Sequence, residues 1–430
     1  MRVLVLGAGV VGVTSAWYLA RAGHQVAVVD RQPAAGLEAS FATGGQASPS
    51  HSEPWANPGT PRRLFSWPGH GGGSALLRLC RWDPDLLAWS SRLLINSLGT
   101  RARTNFDRLL RLAVYSRSCL QALRREVDLE YDQTGIGRLH IYRKSEDFHR
   151  AIGVAEVMDR AGLARQVKTP AEAGIIEPAL ETVLPHLAGA IFAPHDDSGD
   201  ACKFAQRLAA QCAARGVDFH YATRILGLEL EAGRLVSVAT DNGRLRADAF
   251  VLALGSWAPL LARQVGVRLP IYPVKGYSLT LPLDETARAP RVGVADDENL
   301  TVYSRLGDRL RCAGLIEWSG WNAGPTYRGI QTLVTRSRAL FPNAGDYGRA
   351  DAWAGLRAMT PDSAPIVGRS PLPDLFLNVG HGTLGWAMCC GAARALADLI
   401  SRRPPDLDMV DLALERFTLL GPWPRVARAS

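Results

Sequence analysis

The sequence contains no uninterrupted apolar stretch of about 18 residues, the length that a membrane-spanning helix needs. Its seven cysteines include no Cys-x-x-Cys pair, and their odd number cannot be fully paired. We therefore expect no disulfide framework and no zinc or iron–sulfur site, and this cysteine usage favours a reducing compartment. The adjacent Cys389 and Cys390 leave two interpretations open, a redox-active pair or small packing residues near a helix start.

Recognisable nucleic-acid-binding motifs and internal repeats are also missing, and the arginines are scattered, so nucleic acid is not an expected partner. The formal net charge of +8 could instead favour anionic cofactors or an anionic membrane surface. Arg2 and the apolar residues after it resemble the start of a signal peptide. Three glycines interrupt that run and no small-residue cleavage site follows, so we expect none.

The first 30 residues predict a strand, a helix and a second strand, over residues 2–6, 10–22 and 25–30. The turn between the first two fits G-x-G-x-x-G, which is typical of a dinucleotide-binding loop with a helix N-terminus facing the pyrophosphate. We expect this unit to contact a dinucleotide through Val3, Leu4, Val5, Leu6, Gly7, Ala8, Gly9, Val10, Val11 and Gly12.

An acidic residue ends the second predicted strand. Asp30 follows Gly12 by 18 positions, where a carboxylate can bind both ribose hydroxyls of an adenosine and would repel a 2′-phosphate. Arg31 could stack near the adenine or could be an ordinary solvated arginine. The pattern therefore predicts an adenine dinucleotide without a 2′-phosphate.

Three features favour FAD over NAD. The glycine loop lies at the very start of the sequence, a Gly/Ser/Pro-rich stretch over 34–74 replaces the next helix, and a second glycine cluster appears at 353–385. A simple NAD-binding domain continues its βαβαβ pattern without such a detour. We expect this long irregular stretch to wrap a cofactor, the alternative being a stretch without fixed structure.

The rest of the sequence predicts a Rossmann-like FAD-binding domain (α/β) interrupted by an α+β substrate domain with an antiparallel sheet. We expect residues 1–75, 195–268 and 350–430 in the first domain, and 76–194 and 269–349 in the second. Amphipathic helices are predicted within 75–127, with a face that packs on another domain or meets a membrane. Strands are predicted at 272–281, 300–304 and 309–313, and helices at 326–340 and 385–402.

Several motifs resemble those of the FAD-dependent amino-acid oxidoreductases related to D-amino-acid oxidase, glycine oxidase and sarcosine oxidase, and most closely the FAD-bearing subunits of bacterial D-amino-acid dehydrogenases. The departures are few: Thr43, Ala358 and Ser363 stand where that family usually has Asn, Pro and Gly, and 67–74 is unusually glycine-rich. The resemblance covers nearly the whole chain and rests on Val10–Leu19, Val29–Pro33, Gly44–Pro49, Pro54–Gly59, Tyr272–Thr280, Gly355–Asp362 and Gly380–Trp386.

The resemblance implies oxidative deamination of a small D-amino acid to a 2-oxo acid and ammonia. Hydride would pass from Cα to FAD, and electrons would then pass to a quinone or another acceptor. It also implies a cytoplasmic protein, or one bound peripherally to the inner face of the cell membrane. Two alternatives stay open, namely an oxygen-using oxidase of glycine, sarcosine or a proline derivative, and a non-catalytic FAD-binding subunit.

Such chemistry needs a cation for the substrate carboxylate and hydrogen-bond donors at the flavin, but no metal. Arg357, in a predicted glycine-rich loop, matches the family's carboxylate-binding arginine. The resemblance implies catalytic roles for Tyr277, Tyr303 and His381 as well, although the tyrosines could equally be core residues and the histidine could only shape its loop. Lys275 is a weaker candidate cation, and His51 and Trp55 could line the site. The remaining positions expected at the cofactor are Gly44, Gly45, Gln46, Ile225, Gly255, Gly382, Thr383 and Leu384.

Overall fold

The computed structural model describes residues 1–60, 75–77 and 83–420. The last part of the predicted loop, residues 61–74 with the glycine-rich 67–74, lies outside these ranges. The helices are α1 (Val10–Arg21), α2 (Pro84–Asn96), α3 (Gly99–Glu126), α4 (Ser145–Arg160), α5 (Pro170–Ile176), α6 (Ala201–Ala214), α7 (Ala258–Gln264), α8 (Tyr327–Leu340) and α9 (Gly385–Ile400).

The strands are short in the first half of the chain and longer in the second. They are β1 (Arg2–Leu6), β2 (Gln25–Val29), β3 (Gln46–Ala47), β4 (Ala75–Leu77), β5 (Arg138–Tyr142), β6 (Gln166–Lys168), β7 (Gly189–Ala193), β8 (Asp197–Ser198), β9 (Asp218–His220), β10 (Ile225–Glu231), β11 (Arg234–Thr240), β12 (Gly243–Arg246), β13 (Ala249–Leu252), β14 (Tyr272–Pro282), β15 (Gly293–Asp296), β16 (Thr301–Leu306), β17 (Arg309–Trp318), β18 (Asp351–Met359), β19 (Ile366–Arg369) and β20 (Leu375–Val379).

The first sheet has the order β19-β20-β13-β1-β2-β9. All of its neighbouring strands are parallel except β19, which is antiparallel to β20. Such a sheet is covered on both faces, and β1 is accordingly buried from Val3 to Leu6. Helices α1, α6 and α9 pack together on one face around Trp17, Phe204 and Trp386.

The second sheet has the order β18-β14-β17-β16-β15-β5-β7-β6, with β4 paired to β17. Most of its pairs are antiparallel, while β15 with β5 and β17 with β4 are parallel. Helix α8 packs on β14 and β17 over an apolar core that includes Tyr303, Leu333 and Phe341. The predicted combination of a doubly wound sheet with a largely antiparallel one is confirmed.

The prediction for residues 353–385 was wrong in one respect. We expected a glycine-rich loop around Arg357, but three strands, β18 to β20, occupy about half of the segment. Strand β18 also pairs with β14 in the second sheet, although we expected residues from 350 onward in the nucleotide-binding domain. Glycines normally weaken a strand, and here Gly355 and Gly276 lie opposite each other where large side chains cross the sheet.

Within the described ranges, none of the helices has the length and apolar character that crossing a bilayer would require. The two helices α2 and α3 account for the helical pattern predicted within 75–127.

Candidate active site

A cleft of about 670 Å³ runs between the two sheets, from the glycine turn after β1 to the carboxyl ends of β18 and β20. Its volume lies within the range of roughly 300–1,000 Å³ that is usual for small-molecule sites. Ligands in doubly wound sheets bind beyond the carboxyl ends of the strands, and β1, β13 and β20 all end here.

The glycine turn makes one end of the cleft. Gly7 has a φ of +107°, and Gly9 is the N-cap of α1 without any side-chain cap. Gly12 packs so tightly against the turn that a Cβ there would lie 1.8 Å from the Gly7 carbonyl oxygen. Val10 N already donates to Ser40 Oγ at 3.0 Å, so the remaining N–H groups of this first helical turn are the ones left for a pyrophosphate.

Asp30 is fixed beside this turn by two backbone hydrogen bonds. Its carboxylate accepts from Ala8 N at 2.6 Å and from Gln32 N at 2.8 Å. Burial raises the pKa of Asp30, and the two backbone hydrogen bonds oppose that rise. Arg31 pairs with Glu38 and stacks on Trp257, with its Cζ 4.5 Å from the ring centroid.

The predicted site residues separate into two groups. The cleft is lined by Gly7, Gly9, Val10, Val11, Asp30, Arg31, Gly44, Gln46, Ile225, Gly255, Tyr277, Arg357, His381, Gly382 and Thr383. Residues that support the cleft from behind, or lie apart from it, are Val3, Leu4, Val5, Leu6, Ala8, Gly12, Gly45, Tyr303 and Leu384.

The cleft also carries polar atoms that have no partner within the described part of the chain. These are Gln46 Nε2, Asn378 Oδ1 and His381 Nε2, and all three residues line the cleft. A buried polar atom without a partner is costly, so atoms gathered at one cleft favour a ligand that supplies partners. Gly44 lies so close to β16 that a Cβ would meet Val302 Cγ2 at 2.6 Å. This part of the cleft wall therefore has no room for a larger residue.

Arg357 lies on strand β18, not in a loop, and its side chain crosses Gly276 of β14. A Cβ at Gly276 would lie 2.1 Å from the guanidinium carbon. Nη1 donates to the Leu315 carbonyl oxygen at 3.0 Å, and no carboxylate of the described residues pairs with this guanidinium. Burial lowers the pKa of Arg357 to about 10, so it stays a cation at neutral pH.

Leu315 has a φ of +61°, a left-handed conformation that is rare for a branched side chain. The register between β14 and β17 shifts at the same place. Backbone strain of this kind concentrates at functional sites. In this structure the strained residue is Leu315, whose carbonyl oxygen accepts the hydrogen bond that holds the Arg357 guanidinium in place.

His381 lies in the turn before α9, where it forms a β-bridge with Met359. Burial lowers the pKa of its imidazole to about 3, so the ring is neutral at physiological pH. A neutral ring with an unpartnered Nε2 can accept or donate one hydrogen bond, depending on its tautomer, but carries no charge to a substrate.

Side chains of alternate residues on β14 point away from the cleft. The Tyr277 hydroxyl donates to Glu317, whose carboxylate also pairs with Lys275 Nζ at 3.4 Å, and Tyr277 lies against Gly329 of α8. Lys275 is therefore a buried ion-pair partner of Glu317 and not a free cation for the substrate. Lys275 does not line the cleft, and Tyr277 borders it with its hydroxyl bound to Glu317 on the far face of β14, because strand residues point to opposite faces in turn.

Tyr303 does not contact the cleft either. Its ring is fully buried, lies edge-on to Phe341 at 5.0 Å between centroids, and its hydroxyl is 3.3 Å from Thr301 Oγ1. Tyr303 therefore has the core position that was the alternative to a catalytic role, since its place on β16 turns it into the core beneath α8.

Other cleft residues were only weakly indicated or missed. His51 and Trp55 do line the cleft. Asn378 and Asp297 also line it but were not predicted. Asn378 is next to the last residue of β20, and a polar side chain at the carboxyl end of a parallel strand is a usable signal. Asp297 follows a short strand in the second sheet, where sequence spacing offers no such signal.

Comparison with known proteins supports the nucleotide-binding assignment. A family model described as "DAO: FAD dependent oxidoreductase" matches residues 2–399. The D-amino acid dehydrogenase of Paramagnetospirillum magneticum is 52% identical over 97% of this chain and 99% of its own length. The D-amino acid dehydrogenase of Dechloromonas aromatica is 48% identical over 94% and 98%.

Solved structures show the same fold. Glycine oxidase from Geobacillus kaustophilus superposes with a TM-score of 0.74 at 23% identity, covering 96% of this chain and 99% of that one. L-Proline dehydrogenase from P. horikoshii gives a TM-score of 0.75 at 19% identity, covering 97% and 98%. With a family model that matches almost the whole chain, the protein is a member of the DAO family of FAD-dependent oxidoreductases, and its cofactor is FAD.

Proposed function

We propose that the protein deaminates D-amino acids oxidatively, giving 2-oxo acids and ammonia, and passes the electrons to a quinone-type acceptor. The observation that carries the proposal is Arg357, a buried guanidinium that lines the cleft and has no carboxylate partner among the described residues. The names of the relatives that share about half of its residues support the D-amino acid as substrate.

The residues present fit FAD. The turn at Gly7–Gly12 and Asp30 would hold the ADP half, while Gly44, Gln46 and the turn at 380–383 would hold the flavin half. The unpartnered Gln46 Nε2 suits a flavin edge, which offers acceptors. When bound, FAD supplies the acceptor for a hydride from the substrate Cα.

Arg357 binds and orients the substrate. Its second nitrogen, Nη2, stays available while Nη1 is held by Leu315, so the carboxylate meets a guanidinium that is already fixed in place. A preorganised cation loses little entropy on binding, and its burial strengthens the attraction. His381 adds no competing charge at this end of the cleft, because its imidazole is neutral.

Contact with a membrane would bring the protein to a quinone pool. Leu87, Ile95 and Leu98, on α2 and the turn that follows it, are 51%, 39% and 62% exposed. Arg101 and Arg103 are exposed on the adjoining first turn of α3. Apolar side chains beside arginines suit peripheral contact with anionic lipid. Sedimentation with anionic and neutral vesicles tests this, and equal recovery in the supernatant would contradict it.

The decisive experiment is anaerobic mixing of the FAD-loaded protein with matched D- and L-amino acids while the flavin absorbance is recorded. We expect bleaching by D-amino acids alone, followed by faster recovery with a soluble quinone than with air. Recovery that is faster in air would favour an oxygen-using oxidase. Failure of every amine to bleach the flavin would refute an amine-oxidising enzyme and leave the non-catalytic FAD-binding subunit.

A further inference from the structure

A cluster of two histidines and one aspartate lies at the wall of the cleft. His51 belongs to the long loop after β2, His140 to β5 and Asp297 to the turn between β15 and β16. One ligand atom of each lies within 4.8 Å of the other two. His140 Nδ1 is 3.3 Å from Asp297 Oδ2, and the two imidazoles stack with centroids 5.3 Å apart.

His140 is buried, but only one of its two ring nitrogens has a hydrogen-bond partner among the described residues. Its side chain is 2% exposed, and its Nε2 has no partner in the described ranges. A histidine that served only to pair with Asp297 would still leave this second ring nitrogen unsatisfied. Burial lowers the pKa of both imidazoles, that of His140 to about 4, so their lone pairs are free of protons at neutral pH.

The charged side chains around the cluster are compatible with a bound cation. Two buried guanidiniums, Arg138 and Arg165, lie close by, and three carboxylates face them: Asp196, Asp297 and Glu53. With neutral imidazoles the group carries one net negative charge. Arg138 donates from Nε and Nη2 to the hydroxyls of three serines, Ser48, Ser198 and Ser304, at 2.9–3.1 Å, while its Nη1 has no partner among the described residues.

We propose that His51, His140 and Asp297 form a binding site for one divalent transition-metal ion of the zinc class. Two imidazoles and one carboxylate are a donor set that Zn²⁺ and Co²⁺ accept, with further positions open to water or substrate. Tyr142 lies within hydrogen-bonding reach of Asp297 and would hold the carboxylate as an outer partner. Nothing in the spacing of these residues along the chain predicts such a site.

The position of the site gives it a consequence. His51 and Asp297 line the cleft that also contains Arg357, whereas His140 lies behind them. A bound ion with its waters narrows this part of the cleft. Because a substrate must enter the same cleft to reach Arg357, we expect the ion to slow that entry.

Titration of the FAD-loaded, chelator-treated protein with Co²⁺ tests the proposal without any substrate. We expect one equivalent to produce visible d–d absorption bands and a calorimetric binding signal that Zn²⁺ displaces. His140→Ala and His51→Ala should each weaken binding by more than about 10–100-fold, the loss seen when only an outer partner is removed. His149→Ala, at an exposed position on α4, is the matched control and should bind as the parent does.

FAD content and melting temperature confirm that each variant is folded, and the His51 variant tests the site independently if loss of buried His140 prevents folding. Absence of Co²⁺ binding by the parent, or binding by both cluster variants that is as tight as the parent's, would overturn the site. A second measurement follows flavin bleaching by a D-amino acid below saturation, with and without Zn²⁺. We expect slower bleaching with Zn²⁺ in the parent only. Unchanged bleaching of the Zn²⁺-loaded parent would refute the obstruction, while failure of all bleaching would concern the proposed function and not the metal.

Discussion

Replacement of Arg357 by Ala removes the one cation that we assign to the substrate carboxylate. Burial has already lowered the pKa of this guanidinium from 12.5 to about 10. A drop of that size corresponds to roughly 3 kcal/mol of unfavourable burial, which a bound carboxylate offsets. Truncating one partner of a buried charge pair costs about 2–5 kcal/mol, so kcat/KM should fall by roughly 30-fold to a few thousand-fold.

The assay is anaerobic flavin bleaching over a range of D-amino acid concentrations. FAD content should stay at the parent level, because the predicted FAD contacts lie elsewhere. Arg357→Lys keeps the charge but loses the paired geometry, and its activity should fall between those of the parent and the Ala variant. Arg160→Ala, at the exposed end of α4, is the matched control. A change of less than threefold for Arg357→Ala would refute the assignment.

Three further predictions follow from close packing and burial. Gly12→Ala should prevent stable FAD binding, because its Cβ would overlap the glycine turn, whereas Gly153→Ala on α4 meets nothing within 4 Å and should keep full FAD content. Gly276→Ala should raise KM with FAD retained, because its Cβ displaces Arg357; an unchanged KM would contradict this. His381 has a pKa of about 3 when folded, below its ordinary 6.5, so its contribution to stability is lost as pH falls below 6.5. At pH 5 that loss is about 2 kcal/mol, and urea unfolding at pH 7.5 and 5 should show a smaller acid effect in His381→Asn.

The nucleotide-binding half could be predicted because its signals are local. The glycine turn, the helix it opens and Asp30 lie within 30 residues, and each follows from a short-range requirement of backbone geometry. The structure shows the same strand, helix and strand with the same order. The turn at 380–383 is local in the same sense.

The substrate-binding half was harder to predict from the sequence, since it depends on which face of a strand each side chain occupies. Tyr277 and Tyr303 were candidates by resemblance, but register turns both rings towards α8. Lys275 and Glu317 pair across 42 residues, which no spacing rule anticipates. Arg357 was identified by resemblance while its element was not, because Trp353 and Gly355 hide the strand alternation.

The two faces of β14 explain how Arg357 is held without a carboxylate of its own. On the far face Lys275 and Tyr277 both bind Glu317, which joins β14 to β17 through a buried ion pair and a hydrogen bond. On the cleft face Gly276, between them, leaves a gap that the Arg357 guanidinium fills. Substitutions that break this network on the far face should therefore loosen the packing of β14 beneath Arg357 and weaken substrate binding. This effect is expected although none of the side chains in the network points into the cleft.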